Sequence, residues 1–348
     1  MSFTRLADIG YSGPVFNQYI QLKSLESLQL ATGGLVYNDA ELNNMASTPG
    51  FTTGEIKFVN DLTGEDSVVS DNPQELIQPD SISTLKDVCV MCRRAKSFAS
   101  TELVRSVTLG AFDPMRVVMD RLADFWARRR LASLTSLLRG VVQSNVDNNS
   151  SSLVYDISKQ TGGVPDSGTK LYHSYLFGLN SVGMAFGSPA VPLEDERMPD
   201  AGNGEGATAV YSRHHYMQHL FGFRWTGAVL SRNTPTNDDL ANPLNWNMIY
   251  EPKRIRFVCI ISNAKPDAGL GITADNCLSP ETLIEAAQLL GDAKELLTIL
   301  MVHSQVETYM RKLDIIDYMP SSEQGIVIPY YGGKRLLYND SMYNWVAP

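Results

Sequence analysis

Residues 113–142 read DPMRVVMDRLADFWARRRLASLTSLLRGVV, and the rest of the chain is organised around them. Asp113 is a good helix cap, and Pro114 fits the first turn, where its missing N–H costs nothing. Beyond it Val118, Leu122, Phe125, Trp126, Leu134, Leu137, Leu138 and Val141 recur at three- and four-residue steps, the helical period. About 30 residues at ~1.5 Å each make a rod of roughly 45 Å, well above the average globular helix. Arg116, Asp120, Arg121, Asp124 and Arg128 to Arg130 lie opposite, so only one face of the rod belongs in a core. A long one-sided rod is more often a scaffold than the wall of a compact pocket.

The 348 residues suffice for two or three domains with real cores. Hydrophobic content of 43% and charged content of 19% are ordinary for a folded soluble protein. A formal net charge of -9 argues against a dedicated nucleic-acid binder, although a local basic face can still meet a phosphate chain. No apolar run reaches the ~20 residues of a membrane helix, and 255–261 has the length of a strand. The N-terminus, MSFTRLADIGYSG, lacks the apolar core of a signal peptide. Cys89, Cys92, Cys259 and Cys277 suit a reducing compartment without a disulfide framework.

Residues 1–45 are polar with scattered apolar anchors (Val15, Phe16, Tyr19, Leu22, Leu25, Leu28, Leu30), a segment expected to lie along something else. Residues 46–81 read as an extended hairpin: GEIKFVND alternates with Ile56 and Phe58 on one face, LTGED turns, and SVVSD returns. Alone in water such a hairpin is marginal, so it implies a partner surface. Residues 82–97 form a strand with Val88, Val90 and Cys92 on its apolar face. After the rod, residues 171–177, 211–226 and 254–262 read as strands, the last two expected to join 82–97 in one antiparallel sheet beside the rod. The final block alternates helix and strand. Ser279 caps a helix running to Gly291, LLTILMV is a buried strand, Ser304 and Glu307 form a capping box, and Gly332-Gly333 turns a hairpin.

Signals for catalysis are weak. Cys89 and Cys92 match C-x-x-C, but on a strand they point to opposite faces, so buried strand cysteines outweigh a zinc or redox pair. His214, His215 and His219 lie in RHHYMQH, whose surroundings favour a strand over the helix on which His215 and His219 could share a metal. Gly202 to Gly206 is not framed as a phosphate loop, and His303 has no nucleophile beside it. Arg128 to Arg130 read as a solvated or subunit-facing stripe. No catalytic, cofactor-binding or metal-ligating residue is assigned, and no cofactor is expected.

Several strings resemble the major capsid proteins of tailed bacteriophages with the Hong Kong 97 type of fold. They are SGPVFNQYI (12–20), LATGGLVYNDAELNN (30–44), IKFVNDLTGEDSVVSDN (56–72), ISTLKDVCVMCRRAKSFASTEL (82–103), the rod, YLFG (175–178), the block at 289–317 and IPYYGGKRLLYND (328–340). The resemblance implies an α+β capsid fold. It assigns 1–45 to an N-terminal arm, 46–81 to an extended loop over a neighbour, and 82–162 to a peripheral domain with spine helix 113–143. It further assigns 163–210 to part of the axial domain and a loop, 211–265 to peripheral-domain strands and 266–348 to an axial α/β domain. Against the family order the YLFG block comes early, so the blocks read as permuted, with joints in the loops TGGVPDSG and PDAGLG.

The resemblance also implies a homo-oligomer of hexamers and pentamers, enclosing double-stranded DNA without sequence-specific binding and with no membrane. The expected helpers are a separate scaffolding protein, a portal and a decoration protein, with assembly in the host bacterial cytoplasm and residence in the virion. Lys57 is the formal candidate for a crosslinking lysine, without further support. The competing readings are a nanocompartment shell on the same fold and, in a different class, an α/β enzyme with an accessory sheet. The enzyme would need convergent titratable groups, and the sequence offers none.

Overall fold

The computed structural model describes residues 33–48, 50–60, 62, 64–66, 81–101, 114–159, 170–186, 193–198, 207–227, 234–249, 255–320, 327–340, 342 and 344–346. In chain order, β1 (Val36–Asn38) and α1 (Ala40–Ala46) lead to β2 (Thr53–Val59) and the long β3 (Thr84–Thr101). The rod, α2, is Pro114–Asn148. Next come β4 (Val154–Asp156), β5 (Lys170–Gly178), β6 (Val182–Phe186), β7 (Leu193–Met198), β8 (Ala207–Leu220) and β9 (Phe223–Trp225). The helix α3 (Asn237–Ala241) precedes β10 (Trp246–Met248) and β11 (Phe257–Ser262). The last part holds α4 (Pro280–Ala287), β12 (Leu297–Val302), α5 (Ser304–Lys312), β13 (Asp317–Pro320), β14 (Val327–Tyr331), β15 (Lys334–Tyr338) and β16 (Asn344–Val346).

Two sheets carry the fold. The eight-stranded sheet runs β13-β14-β15-β12-β5-β11-β4, with β16 also on β5. Its central strands are near-continuous apolar runs, the pattern of strands covered on both faces. Position parity decides which cover each residue meets. Tyr175, Phe177, Phe257, Cys259, Ile299 and Met301 pack in one cluster with Leu134, Leu137, Leu138 and Val141 of α2. Leu176, Val258, Ile260, Leu300 and Val302 pack in another with Leu283 and Ala286 of α4 and Val306 and Met310 of α5. The sheet is therefore sandwiched between the rod and two shorter helices.

The six-stranded sheet runs β1-β6-β8-β3-β2, with β7 also on β8. Its strands divide differently from the sequence expectation. Residues 257–262 do not join 82–97: β11 pairs with β5 and β4, because a strand apolar on both faces needs a covered central position. In its place β6 and β7 flank β8. The first leg of the hairpin pairs with Thr84 to Val90 rather than with SVVSD, whose residues 67–71 lie outside the described set. Residues 33–46 are not without a core either, since Leu35 and Leu42 are fully buried and β1 runs parallel to β6. The remainder of the expected arm, 1–32, lies outside the described residues.

The rod reaches Asn148, five residues beyond the expected 143. The polar stretch there is helical rather than looped: Ser144 and Asn145 are buried and hydrogen-bonded, while Val146, Asp147 and Asn148 are exposed. Ser144 donates to the Trp246 carbonyl at 2.8 Å, and Leu153 N–H donates to the Asn145 side chain at 3.0 Å. Positive φ values at Ser150 and Ser151 then turn the chain away. At Gly140 the 240–246 segment crosses the rod so closely that a Cβ would sit 2.2 Å from the Leu240 carbonyl. In the last block α4 takes the expected Ser279 cap but ends at Ala287 and continues as a 3-10 turn kinked at Gly291. The cap of α5 is His303, whose Nδ1 accepts from Gln305 N–H, and Glu307 instead holds Arg311 one turn on. Gly332 and Gly333 turn β14 into β15 with positive φ, as expected.

Candidate functional site

The hairpin root is where the two edges of this chain's architecture meet. Along β2 burial alternates, so Gly54, Ile56 and Phe58 face inward and Glu55, Lys57 and Val59 face solvent. Ile56 packs with Leu42 and Ala46 of α1, Cys89 and Met91 of β3, Ala185 of β6 and Met217 of β8. Beneath this apolar cluster lies a buried acid–imidazole contact. His219 Nε2 is 2.7 Å from Asp87 Oδ1, with the two side chains 1% and 0% exposed. Phe221 sits edge-on to the His219 ring at 5.5 Å. The expectation that 46–81 makes no core with its own chain is corrected here: 53–59 are the third wall of a small core.

Farther out the hairpin changes character. Val59 is 56% exposed, Leu62 79% and Ile82 69%, large apolar side chains beyond the point where the root's core ends. On the solvent face Lys86 and Glu55 pair at 2.7 Å, and that neighbouring ammonium holds the Glu55 carboxyl below its ordinary value. Asn60 N–H donates to the Ser83 carbonyl at 3.0 Å, the last described rung before the tip.

No family model matches the chain. The major capsid protein of Bacillus phage SPP1 is 26% identical over 326 residues, spanning 74% of this chain and 98% of that protein. The bacteriophage JBD30 capsid structure aligns over 99% of this chain and 96% of its own, with a TM-score of 0.50 at 7% identity. The structure of bacteriophage Epsilon15 covers 90% of this chain and 87% of its own, with a TM-score of 0.45 at 10% identity. These matches support the reading of the chain as a major capsid protein of a tailed phage. Its fold is the phage capsid fold, it resides in the virion capsid, and it builds a shell from many copies. These relatives are structural proteins. No helix among the described residues is long and apolar enough to cross a membrane.

Within this capsid protein the residues singled out from sequence scatter. Cys89 and Cys92 face opposite sides of β3 in separate clusters. Burial pushes their thiols up to about 12 and about 11, so both stay protonated, the wrong state for a metal ligand or nucleophile. His215 and His219 lie on β8, four residues apart and thus ~13 Å along an extended strand, too far to share an ion. His214 is on the same strand, and Gly202 to Gly206 lie outside the described residues. His303 serves as a helix cap, its imidazole held below the ordinary value chiefly by burial. Of the arginine run, Arg129 is exposed and lies over the Phe125 ring, while burial pulls Arg130 below the usual guanidinium range.

Sequence reasoning missed the Asp87–His219 pair. Its signal was an acid inside the otherwise apolar run of a central strand, which needs a buried partner. Gly163, Val164 and Pro348, which lie at the joints and end of the permuted blocks, are outside the described residues, while β5 lies beside β12 and Val346 is in register with Lys170.

Proposed function

We propose that this capsid protein assembles into hexamers and pentamers of a closed icosahedral shell around double-stranded DNA, and that residues 60–83 clamp a neighbouring subunit. The observation that carries the clamp is the exposure of Val59, Leu62 and Ile82, three large apolar side chains just beyond the packed root of the hairpin. In this reading α2 is the spine of a peripheral part that includes the six-stranded sheet. The eight-stranded sheet with α4 and α5 is the axial part, meeting its copies at the symmetry axes. A separate scaffolding protein, a portal and a decoration protein complete the head. Lys57 stays solvent-facing and forms no covalent link.

The subunit carries out no reaction of its own in this reading. Among the described residues no group of three His, Cys, Asp or Glu side chains could hold a metal ion. Electron microscopy of the full chain, expressed with and without its scaffolding protein, tests the proposal. Closed shells of uniform diameter are expected. Only monomers or open sheets under both conditions would overturn it.

A further inference from the structure

On β3 the even positions after Cys92 are Arg94, Lys96 and Phe98, and all three face the rod rather than α1. On α2 Phe125, Arg129 and Ser133 follow one another at one-turn spacing and face back. Together with Trp126, Tyr216 and Asn237 they line a cleft of about 260 Å³ between sheet and rod. Among the described residues three cations and no carboxylate line it, in a chain whose net charge is -9. Arg94 is steered by a 3.1 Å bond to the Asn237 side chain. Asp239, whose carboxyl feels the Arg94 charge, is occupied by both the hydroxyl and the N–H of Thr236. Among the described residues none of Arg94, Lys96 and Arg129 has a carboxylate within ion-pair distance.

We infer that this cleft is a binding site for phosphodiester groups of duplex DNA, gripping the backbone without reading sequence. The inference rests on the proposed shell around DNA and names the surface that meets it. Chemistry selects the backbone rather than a base. Phe125 is covered by Arg129 at 5.3 Å and met edge-on by Phe98 and Trp126 at 5.5 and 5.1 Å, so its ring is not open for stacking. Guanidinium forks match phosphate oxygens, and Lys96 adds a mobile charge at the rim.

The test is binding of a labelled duplex of arbitrary sequence to the full-length subunit, titrated across salt, against Arg94→Gln/Lys96→Gln/Arg129→Gln. The variant should bind about tenfold or more weakly at low salt, and its slope of log K against log salt should shrink by about 2 to 3. A companion measurement needs no variant. Acetylation of Lys96 in the wild type should be suppressed by saturating duplex, while that of the exposed Lys159 and Lys312 continues. Unchanged affinity and slope in a folded variant would overturn the inference, as would undiminished Lys96 reactivity or no binding by the wild type. So would variant-sensitive binding of polyglutamate in place of duplex, which would mark an acidic protein as the occupant. Shell formation is scored separately: shells without cleft-dependent DNA binding sink this inference alone, whereas absent shells sink the proposed function.

Discussion

The two sheets of this capsid protein solve the same problem in different ways. The eight-stranded sheet has covers on both faces from its own chain, and its central strands hold an almost wholly apolar interior. The six-stranded sheet is covered on one face by a single short helix, ends at β2, and buries the Asp87–His219 contact in its middle. The first is built to stand alone. The second is built to be finished by something else, and a hairpin with exposed apolar residues leads away from it. Stability and assembly thus divide between the sheets, and that division can be attacked directly.

The largest effect should come from removing the clamp. Asn60 and Ser83 are already hydrogen-bonded, so replacing 61–82 with Asn-Gly closes a tight two-residue hairpin without disturbing Ile56 or Phe58. The shortened subunit should melt within a few degrees of the wild type and form no shells. Normal shells from this variant would mean that assembly is not carried by the hairpin.

Within the six-stranded sheet the Asp87–His219 contact is the point of greatest leverage. His219→Leu keeps the volume but leaves the buried Asp87 carboxylate without its imidazole, which should cost about 3–5 kcal/mol in urea unfolding. Hydrogen exchange should rise first in α1, β2 and β3, with β5 and β12 still protected. The double change Asp87→Leu/His219→Leu should recover most of the loss, because an apolar pair needs no mutual desolvation. Equal loss in the double variant would assign the effect to packing rather than charge.

Legibility in the sequence follows the same division. The rod, the apolar strands β5, β11 and β12, the Ser279 cap and the Gly-Gly turn are local patterns, and each appears where period and punctuation put it. What sequence could not choose was the partner. An apolar run such as FVCIIS says that both faces are covered without saying by which sheet, so β11 was expected beside β3. The hairpin's second leg was misplaced for a related reason. SVVSD alternates as well as TLKDVCV does, and only the packing of Ile56 against Cys89 and Met91 separates them. The DNA cleft needs two periods superposed, i+2 on β3 and i+4 on α2, and neither alone is distinctive.

Acid should reverse which half is weaker. His173 lies in β5 among residues packed against the rod side, and burial holds its imidazole down at about 4 from 6.5. Between those values the unfolded chain binds a proton that the folded chain refuses, so stability rises with pH there. It is full above about 6.5 and declines as pH falls, by about 3 kcal/mol on reaching pH 4. Unfolding of the wild type should therefore weaken between neutral pH and pH 5 more than that of His173→Leu. Parallel pH curves for the two proteins would show that His173 is not the group refusing the proton.

The smallest effect sharpens how the rod holds the six-stranded sheet. Ser133 Oγ and Tyr216 OH are 2.7 Å apart and buried, the polar link between α2 and β8. The same hydroxyl of Ser133 also donates to the Arg129 carbonyl at 3.1 Å and reaches the Asn237 side chain at 3.2 Å. Tyr216→Phe therefore removes the hydroxyl's bonds to Ser133 and to the Arg94 side chain but leaves Ser133 satisfied and the aromatic ring in place. The cost should be about 1–2 kcal/mol, the net worth of two such hydrogen bonds, read as a small shift in the urea midpoint with unchanged slope. A loss of about 3 kcal/mol or more would mean that the hydroxyl network fixes the rod on this sheet. In that case the six-stranded half would depend on polar specificity throughout, while the eight-stranded half depends on apolar area.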